Sequence, residues 1–340
     1  VFEIGLTPNR TDATSHIGVA RDIVAALNQQ RNLNLSIQRP GIDDFKVGKA
    51  ARHIDIRIDD EEACPRYTGL TMTGIKVKES PDWLKNRLNA VCIRPINNIV
   101  DITNYILMET GQPLHAFDAD KIKGDTVVIR KAHSGEPFTT LDEVDRKLLD
   151  SDLMICNETD PMCIAGVFGG IESGVTEETK DLFLESAHFD PSTIRKTSKH
   201  HGLQTDASFR FERGADPNIT VYAIKRAAML IQTLADGNIA SDVVDVYPAE
   251  IQGWKVELSY ASLDRLVGKH IPPENIKSIF RDLEITVSGE TKEGLTTSVP
   301  TYRYEVRREA DLIEEVLRIY GYNNVEMGEK VNASLTFYPK

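Results

Sequence analysis

The chain has 340 residues, of which 41% are hydrophobic and 27% are charged, a composition typical of globular proteins and a length that allows two or three domains. Its formal net charge of −12 argues against a protein that coats nucleic acid non-specifically, although a local basic patch on an acidic body can still bind it. No apolar run approaches the roughly 20 residues that cross a bilayer, so no membrane partner is predicted.

The four cysteines are scattered and form no C-x-x-C pair, which favours a reducing, cytoplasmic location over a secreted disulfide framework. The chain begins at Val1 without a signal-peptide pattern and starts in what reads as the middle of a domain. We therefore expect an internal fragment of a longer protein.

The first segment predicts a short strand over FEIGL and then a helix that carries Ile17, Ile23 and Leu27 on one face. A polar linker follows over residues 28–48, and strands are predicted over residues 54–58 and 67–77. Ser80 and Pro81 begin a second helix. A new domain is thus expected to start near residue 45.

The stretch 94–118, RPINNIVDITNYILMETGQPLHAFD, predicts a buried helix with polar residues in and after it. Asn97 or Asn98 can cap the helix, apolar residues fall on both of its faces, and Gly111 ends it. Polar groups in such a frame need internal partners or a ligand; they are Asp101, Thr103, Asn104, Gln112 and His115. For His115, a satisfied structural histidine is the alternative.

Strands are expected over residues 126–130, 153–156 and 182–189, with a glycine-containing segment over residues 166–170 between the last two. Glu185 lies among apolar residues in the last strand, where an ionisable group costs free energy unless it is paired or used. An ion pair with Arg94, or a strand that faces solvent, is the structural alternative. The glycines of segment 166–170 can form a bulge or let the backbone approach a ligand closely.

The segment 191–213 is the sizeable cationic region of the sequence, with five lysines and arginines and two histidines against two acids. Within it, the run TDAS with Arg210 and Arg213 can equally be a capped turn carrying surface charges. A helix is then predicted over residues 218–235, ended by Gly237.

From Trp254 onwards the sequence predicts a small separate module. Its order of helix, helix, hairpin and helix is typical of a winged-helix-like domain, and its last helix, 307–320, is acidic. That acidity speaks against nucleic-acid contact through this helix face and favours domain packing.

Common catalytic signatures are absent from the sequence: it has no G-x-S-x-G elbow, no P-loop and no H-E-x-x-H motif. His188, His200 and His201 do not form a ligand set, because adjacent histidines point in different directions and no cysteine or carboxylate completes it. No metal site is predicted.

Several long motifs together resemble one family. Besides the stretch 94–118, they are TPNRTDATSHIGVARDIVAAL, GVFGGIESGV, FLESAHFDPSTIRKTSKHHGLQTDASFRFERGADP and EEVLRIYGYNNV. In order and spacing they resemble the β-subunit of bacterial phenylalanyl-tRNA synthetase, over essentially the whole chain. One departure is Phe168, where that family often has methionine before the glycine pair.

The resemblance implies a mixed α+β, multidomain fold. Residues 1–44 would be the end of the first β-subunit domain and a linker, residues 45–250 a mixed-sheet editing domain, residues 251–325 a winged-helix-like domain, and residues 326–340 a linker. The family's aminoacylation core has no counterpart in this sequence, so the resemblance implies no cofactor here, although the full enzyme would need ATP and Mg.

The resemblance also implies a function, hydrolysis of tyrosine wrongly esterified to tRNA(Phe), and a site. His115 and Thr205 would be catalytic, with open roles; the substrate-binding residues would be Glu185, Gly166, Ala207, Arg94, Thr103, Asn104 and Pro113. Arg195, Lys196, Lys199 and Arg213 would contact the tRNA acceptor end. The implied partners are tRNA(Phe) and the synthetase α-subunit; the alternative is a non-catalytic fragment that docks tRNA or a partner.

Overall fold

A computed structural model describes residues 2–326 of the chain. The helices are α1 (His16–Arg31), α2 (Asp82–Ala90), α3 (Asn98–Thr110), α4 (Pro191–His201), α5 (Asp206–Phe211), α6 (Thr220–Leu234), α7 (Tyr260–Val267), α8 (Pro273–Asp282) and α9 (Glu309–Tyr320). In residues 2–326, no helix combines the length and the apolar character that crossing a bilayer requires.

The strands lie between and around these helices. They are β1 (Asp55–Ile58), β2 (Arg66–Thr73), β3 (Leu114–Asp118), β4 (Thr126–Lys131), β5 (Pro137–Thr139), β6 (Asp145–Lys147), β7 (Leu153–Cys156), β8 (Pro161–Ile164), β9 (Phe168–Gly169), β10 (Leu182–His188), β11 (Asn238–Ile239), β12 (Val244–Val246), β13 (Trp254–Ser259), β14 (Thr286–Glu290) and β15 (Gly294–Val299). The predicted mixed α+β class is confirmed.

The larger of two compact units comprises, among the described residues, 2–20, 37–253 and 300–305. One of its sheets has the strand order β1-β4-β7-β8-β9, with β1 parallel to β4 and the other neighbours antiparallel. A second, antiparallel sheet has the order β11-β2-β10-β3, and β12 also pairs with β2. Strands β5 and β6 form a separate ribbon.

The second sheet is buried on both faces because two separate cores flank it. Tyr67, Phe117 and Phe183 point into a core shared with strands of the first sheet, such as β4 and β7. The alternate residues Leu70 and Leu184 point into a core shared with α2, α3 and α6. Since β10 is a central strand of this sheet, every residue from Leu182 to His188 is buried.

The smaller unit comprises, among the described residues, 21–36, 254–299 and 306–326. It contains a three-stranded antiparallel sheet of order β13-β15-β14 and a core to which α7, α8 and α9 contribute. The helices and the hairpin follow the predicted order, but strand β13 precedes them and pairs with β15 along its whole length. The predicted linker over residues 326–340 lies outside the described residues except for Glu326.

One local expectation from the sequence is wrong, and two helices were not predicted. Residues 2–6 form no strand and are exposed, because the apolar alternation of FEIGL finds no neighbouring strand to pair with. The cationic segment, in contrast, is mostly helical, since Asp190 caps α4 with Pro191 at its first turn and Thr205 caps α5.

Helix α3 begins and ends where the sequence predicts. The Asn97 side chain accepts hydrogen bonds from the backbone N–H groups of Ile99 (3.1 Å) and Val100 (3.0 Å), and Gly111 ends the helix in the left-handed conformation. Asp101 is buried and accepts from the Ser80 hydroxyl and the Ile96 N–H. Asp101 therefore stabilises the start of the helix, and no ligand is needed to explain its burial.

We predict that Asn97→Ala lowers the free energy of unfolding by about 1 kcal/mol, because two N–H groups of the first helical turn lose their acceptor. Urea unfolding followed by circular dichroism measures the change. Asn86→Ala, at an exposed position within α2, is the matched control and should stay within about 0.5 kcal/mol of the unsubstituted chain. Equal stability of the two variants would contradict the capping role.

Candidate functional site around Glu185

Glu185 lies in the middle of β10, directly opposite Gly69 of β2 on one side and His115 of β3 on the other. Directly opposite residues of antiparallel strands project from the same face, here the face toward the core between the two sheets. Glu185 is 5% exposed, and its Oε2 accepts a hydrogen bond of 3.0 Å from the Tyr67 hydroxyl. The site is thus built on three neighbouring strands.

Both structural alternatives for Glu185 are wrong. The residue does not face solvent, and within residues 2–326 no ion pair joins it to Arg94, which is exposed before α3. The carboxyl group instead meets a neutral phenol. Burial of a carboxyl with so weak a partner has to be offset elsewhere in the fold or used by a ligand.

The surroundings of Glu185 favour its uncharged form. Burial raises the pKa of Glu185 to about 8, while the hydrogen bond from Tyr67 acts in the opposite direction. Burial, with a smaller effect of the Glu185 charge, also raises the pKa of the Cys64 and Cys163 thiols. At neutral pH the site therefore presents a carboxylic acid and two thiols.

His115 presents the second polar group of this face. Its Nε2 is buried and has no hydrogen-bond partner among the described residues, and its ring packs edge-on against Phe117 with centroids 4.4 Å apart. Desolvation by burial lowers the pKa of His115 to about 4, so the imidazole is neutral at pH 7. A buried donor or acceptor without a protein partner is uncommon, and a bound water or ligand is one explanation for it.

Glycines let the strand pair β8–β9 approach this face. A Cβ atom on Gly169 would lie 3.2 Å from Cε1 of His115 and 2.9 Å from Leu141. Gly166 has φ +65°, and a Cβ atom there would lie 2.8 Å from the ring of Phe211 and 2.9 Å from that of Phe189. Gly166 thus adjoins two of the chain's own aromatic rings, and its role in substrate binding stays a prediction.

Thr205 ties helix α5 to the same glycine segment. Its hydroxyl donates to the carbonyl oxygen of Val167 (3.1 Å) and accepts from the Ser208 N–H (3.0 Å) within a capping box. Ala207, the second residue of α5, packs against the core that contains Tyr67. The alternative of a capped turn is thus correct for Thr205, but Arg210 is buried and is not a surface charge.

The predicted residues in and around α3 are placed differently from one another. Thr103 donates its hydroxyl to the Val100 carbonyl (2.8 Å) and is satisfied within its own helix. Pro113 is buried and accepts from the Gln112 side chain, whose amide also donates to the Ala187 carbonyl of β10 (2.8 Å). Asn104 is half-buried and Arg94 is exposed. Through Gln112 the end of α3 is joined to the strand that carries Glu185.

The predicted tRNA contacts fall into two groups. Lys196 and Lys199 are exposed on α4, as is Arg195, although its guanidinium donates to the Glu212 carbonyl. Arg213 is half-buried, pairs with Glu212 and stacks on Phe209 at 3.8 Å from the ring centroid. The two lysines are thus the most readily available cations of this group.

Three histidines considered as metal ligands take other roles. His201 Nε2 lies 2.8 Å from the Asp152 carboxylate, which also accepts from Thr197, while the His200 ring packs edge-on against that of His201. His188 is buried, and desolvation lowers its pKa to about 4. Within residues 2–326 no cluster of three metal-binding side chains occurs, and the four cysteines are free.

Sequence reasoning missed Tyr67, and within the glycine segment 166–170 it named Gly166 as a site residue but not Gly169. Tyr67 and Gly169 lie near Glu185 or His115 only because distant strands pair, with Tyr67 separated from Glu185 by 118 positions. The one available signal was the period-two pattern, which puts Tyr67 and Gly69 on the same face of β2.

We predict that the stability of the chain depends on pH through Glu185. Its pKa rises on folding from the usual 4.5 to about 8, so between these values the unfolded state has released a proton that the native state keeps, and stability falls as pH rises. Relative to Glu185→Gln, the unsubstituted chain should lose on the order of 2 kcal/mol of unfolding free energy between about pH 6 and pH 8.

Urea unfolding at a series of pH values measures this difference, in which the contributions of His115 and His188 cancel because both chains contain them. Glu177→Gln changes an exposed glutamate of the same unit and should follow the unsubstituted chain at every pH. A pH-independent gap between the unsubstituted chain and Glu185→Gln would contradict a buried, protonated carboxyl.

Comparisons with known proteins agree with the resemblance found in the sequence. The B3/4 domain family model matches residues 63–236, and the model of the tRNA synthetase B5 domain matches residues 256–322. A solved N-terminal fragment of the phenylalanyl-tRNA synthetase β-subunit from Pyrococcus horikoshii covers 93% of this chain and 85% of its own, with 16% identity and a TM-score of 0.44, too low to support an argument about the fold.

Curated relatives named phenylalanine–tRNA ligase β subunit match nearly the whole chain. The protein from Bacteroides thetaiotaomicron is 54% identical over 99% of this chain and 41% of its own length, and that from Geobacter metallireducens is 45% identical over 96% and 40%. The chain thus spans about two fifths of the length of the relatives it matches. It belongs to the B3/4 domain family, and its predicted resemblance to the β-subunits of an aminoacyl-tRNA ligase, phenylalanine–tRNA ligase, is confirmed.

Proposed function

We propose that the chain hydrolyses the ester bond of tRNA(Phe) wrongly charged with tyrosine, with Glu185 recognising the hydroxyl of the misplaced amino acid. The observation that carries the proposal is the buried carboxyl of Glu185, directly opposite His115 and facing the core between two sheets. The name of the relatives, phenylalanine–tRNA ligase β subunit, supports an aminoacylated tRNA as the class of substrate.

Recognition of tyrosine rests on a difference of one hydroxyl from phenylalanine. A site built to hydrogen-bond this hydroxyl rejects the analogue that lacks it, because the polar group of the site is then left unpaired. An unpaired, buried neutral carboxyl costs about 1 to 3 kcal/mol, which corresponds to a preference of roughly 5- to 150-fold. The cost for a neutral carboxyl applies because Glu185 is protonated at neutral pH.

The chemical step needs no protein nucleophile, because an aminoacyl ester is already activated. A water oxygen bonds to the ester carbonyl carbon, the bond from that carbon to the ribose oxygen breaks, and the proton released by water ends on the ribose oxygen. The raised pKa values of Cys64 and Cys163 keep both as thiols, which are poor nucleophiles. Placement of water and stabilisation of the oxyanion are what the protein supplies.

His115 holds either the water or the terminal adenosine by a hydrogen bond at Nε2, the atom without a partner among the described residues. With a pKa of about 4 it is too weak a base to take a proton efficiently at neutral pH, so it orients and does not deprotonate. Thr205 acts through its bond to Val167, which fixes the glycine segment beside His115.

The nucleic acid is held outside this uncharged region by the cations of α4. Lys196 and Lys199 lie on the exposed side of that helix, where phosphates of the acceptor end can approach. The proposed hydrolysis requires neither ATP nor Mg, and partnership with a synthetase α-subunit is proposed from the β-subunit name of the relatives.

Incubation of the 340-residue chain, alone and assembled with an α-subunit, with tyrosyl-tRNA(Phe) and phenylalanyl-tRNA(Phe) tests the proposal. Glu185→Ala should lower the preference for the tyrosyl ester about tenfold or more, and His115→Ala should lower the hydrolysis rate of both esters. Glu177→Ala is the control. Release of no tyrosine by the chain or by the assembly would show that the chain is a docking fragment instead, and release that survives both substitutions would place the site elsewhere.

The role of α4 is tested by the salt dependence of tRNA binding. Removal of two phosphate contacts in Lys196→Ala/Lys199→Ala should reduce the slope of log affinity against log salt concentration by about 1.5 to 2. Lys46→Ala/Lys49→Ala removes two exposed charges elsewhere in the same unit and should leave the slope unchanged. Equal slopes for both double variants would contradict acceptor-end binding on α4.

A further inference from the structure

The hydrogen bond from Tyr67 to Glu185 joins two side chains whose relative position is fixed by strand pairing. Tyr67 is fully buried, and its neighbours in β2 pair with β10 in a continuous register. Ala187 lies directly opposite Tyr67, so Glu185 is its diagonal neighbour on the same face, within reach of an aromatic side chain. The position of the phenol is therefore set by the sheet and not by a mobile loop.

The residue directly opposite Glu185 on β2 has no side chain that could serve instead. This residue is Gly69, and a Cβ atom there would lie 2.3 Å from the Phe183 ring and 2.8 Å from Ile56. Within residues 2–326, the hydrogen bond from Tyr67 is the one that engages the Glu185 side chain, and it engages Oε2. The second oxygen, Oε1, is left for another donor or acceptor.

We propose that Tyr67 is a positioning residue of the site. Its hydroxyl holds Oε2 of Glu185, so that Oε1 faces the hydroxyl at the para position of the bound aminoacyl ring. This inference rests on the proposed function and adds two points to it. Tyr67 belongs to the site, and the two carboxyl oxygens of Glu185 have different partners. Without Tyr67, the carboxyl rotates about its terminal bond, and either oxygen can turn toward the substrate or away from it.

The same bond also lowers the pKa of Glu185, against the larger effect of burial. Because the Tyr67 hydroxyl stabilises the ionised form, its removal raises the pKa of Glu185 further. An ionised carboxylate accepts the substrate phenol in a stronger, charge-assisted bond, so the preference for the tyrosyl ester increases as pH rises through this pKa. Loss of Tyr67 moves that increase to higher pH, an effect that a purely structural hydrogen bond elsewhere in the fold does not produce.

Tyr67→Phe tests the inference, with Tyr222→Phe as the matched control. Tyr222 also donates its hydroxyl, to the Pro40 carbonyl at 2.9 Å, in the same unit. In Tyr67→Phe we expect KM for tyrosyl-tRNA(Phe) to rise about tenfold with kcat little changed, and the pH midpoint of the preference to move upward. In Tyr222→Phe we expect both quantities to equal those of the unsubstituted chain.

Several results separate this inference from the function on which it rests. If the unsubstituted chain and its assembly release no tyrosine, both fail together. If tyrosine is released and Tyr67→Phe keeps the same preference and pH midpoint, the positioning role is overturned while the function stands. A change of equal size in Tyr222→Phe also overturns it.

A structure of the unsubstituted chain with a non-hydrolysable tyrosyl amide of adenosine tests the same point without any substitution, should Tyr67→Phe fail to fold. The ligand hydroxyl should lie within hydrogen-bond distance of Oε1 while Tyr67 keeps Oε2. A ligand hydroxyl that displaces Tyr67 from Oε2, or that does not meet Glu185, would overturn the inference.

Discussion

Burial of strand β10 on both faces is the constraint on which the larger unit depends. The strand lies between a sheet-facing core and a helix-facing core, so each of its side chains from Leu182 to His188 has to fit one of them. Leu184 and Phe183 meet this requirement by apolar packing. Glu185 meets it by keeping a proton at neutral pH and accepting a bond from Tyr67, so under the proposed function this strand is where stability and substrate recognition compete.

Neutral and charged groups of the larger unit lie in different places. The groups facing the inner core, Glu185 and His115, are both uncharged at neutral pH because burial shifts their pKa values in opposite directions. The positive charge lies on the exposed side of α4, at Lys196 and Lys199. Such an arrangement suits a ligand with one neutral end and one strongly anionic end.

Local signals in the sequence predicted the elements that are determined locally. Helix α3 was foreseen because Asn97, the apolar stripe and Gly111 all lie within one short stretch. Helices α4 and α5 were not, because their caps at Asp190 and Thr205 stand in a polar segment with little apolar periodicity. The strand predicted for FEIGL is absent for the opposite reason. Its residues alternate between apolar and polar as in a strand, but they have no partner strand with which to form a sheet.

The same limit applies to the candidate site. Glu185 stands out in the sequence because a carboxylate among apolar residues is costly wherever the strand is placed. Its cross-strand neighbours do not stand out, because Gly69 and Tyr67 become neighbours only through strand pairing over more than a hundred residues. The family resemblance identified His115 and Thr205 as site residues. The bond from Thr205 to Val167 could not be predicted, because it forms only when α5 folds against the glycine segment.

The neutrality of the face that carries Glu185 and His115 has a consequence for turnover. In the proposed hydrolysis the uncharged ester carbonyl becomes a carboxylate, next to the α-ammonium group that the amino acid already carries. Both charged groups are expensive to keep away from water. Under the proposed function the product thus gains a second charged group, which favours its release from an apolar face into water.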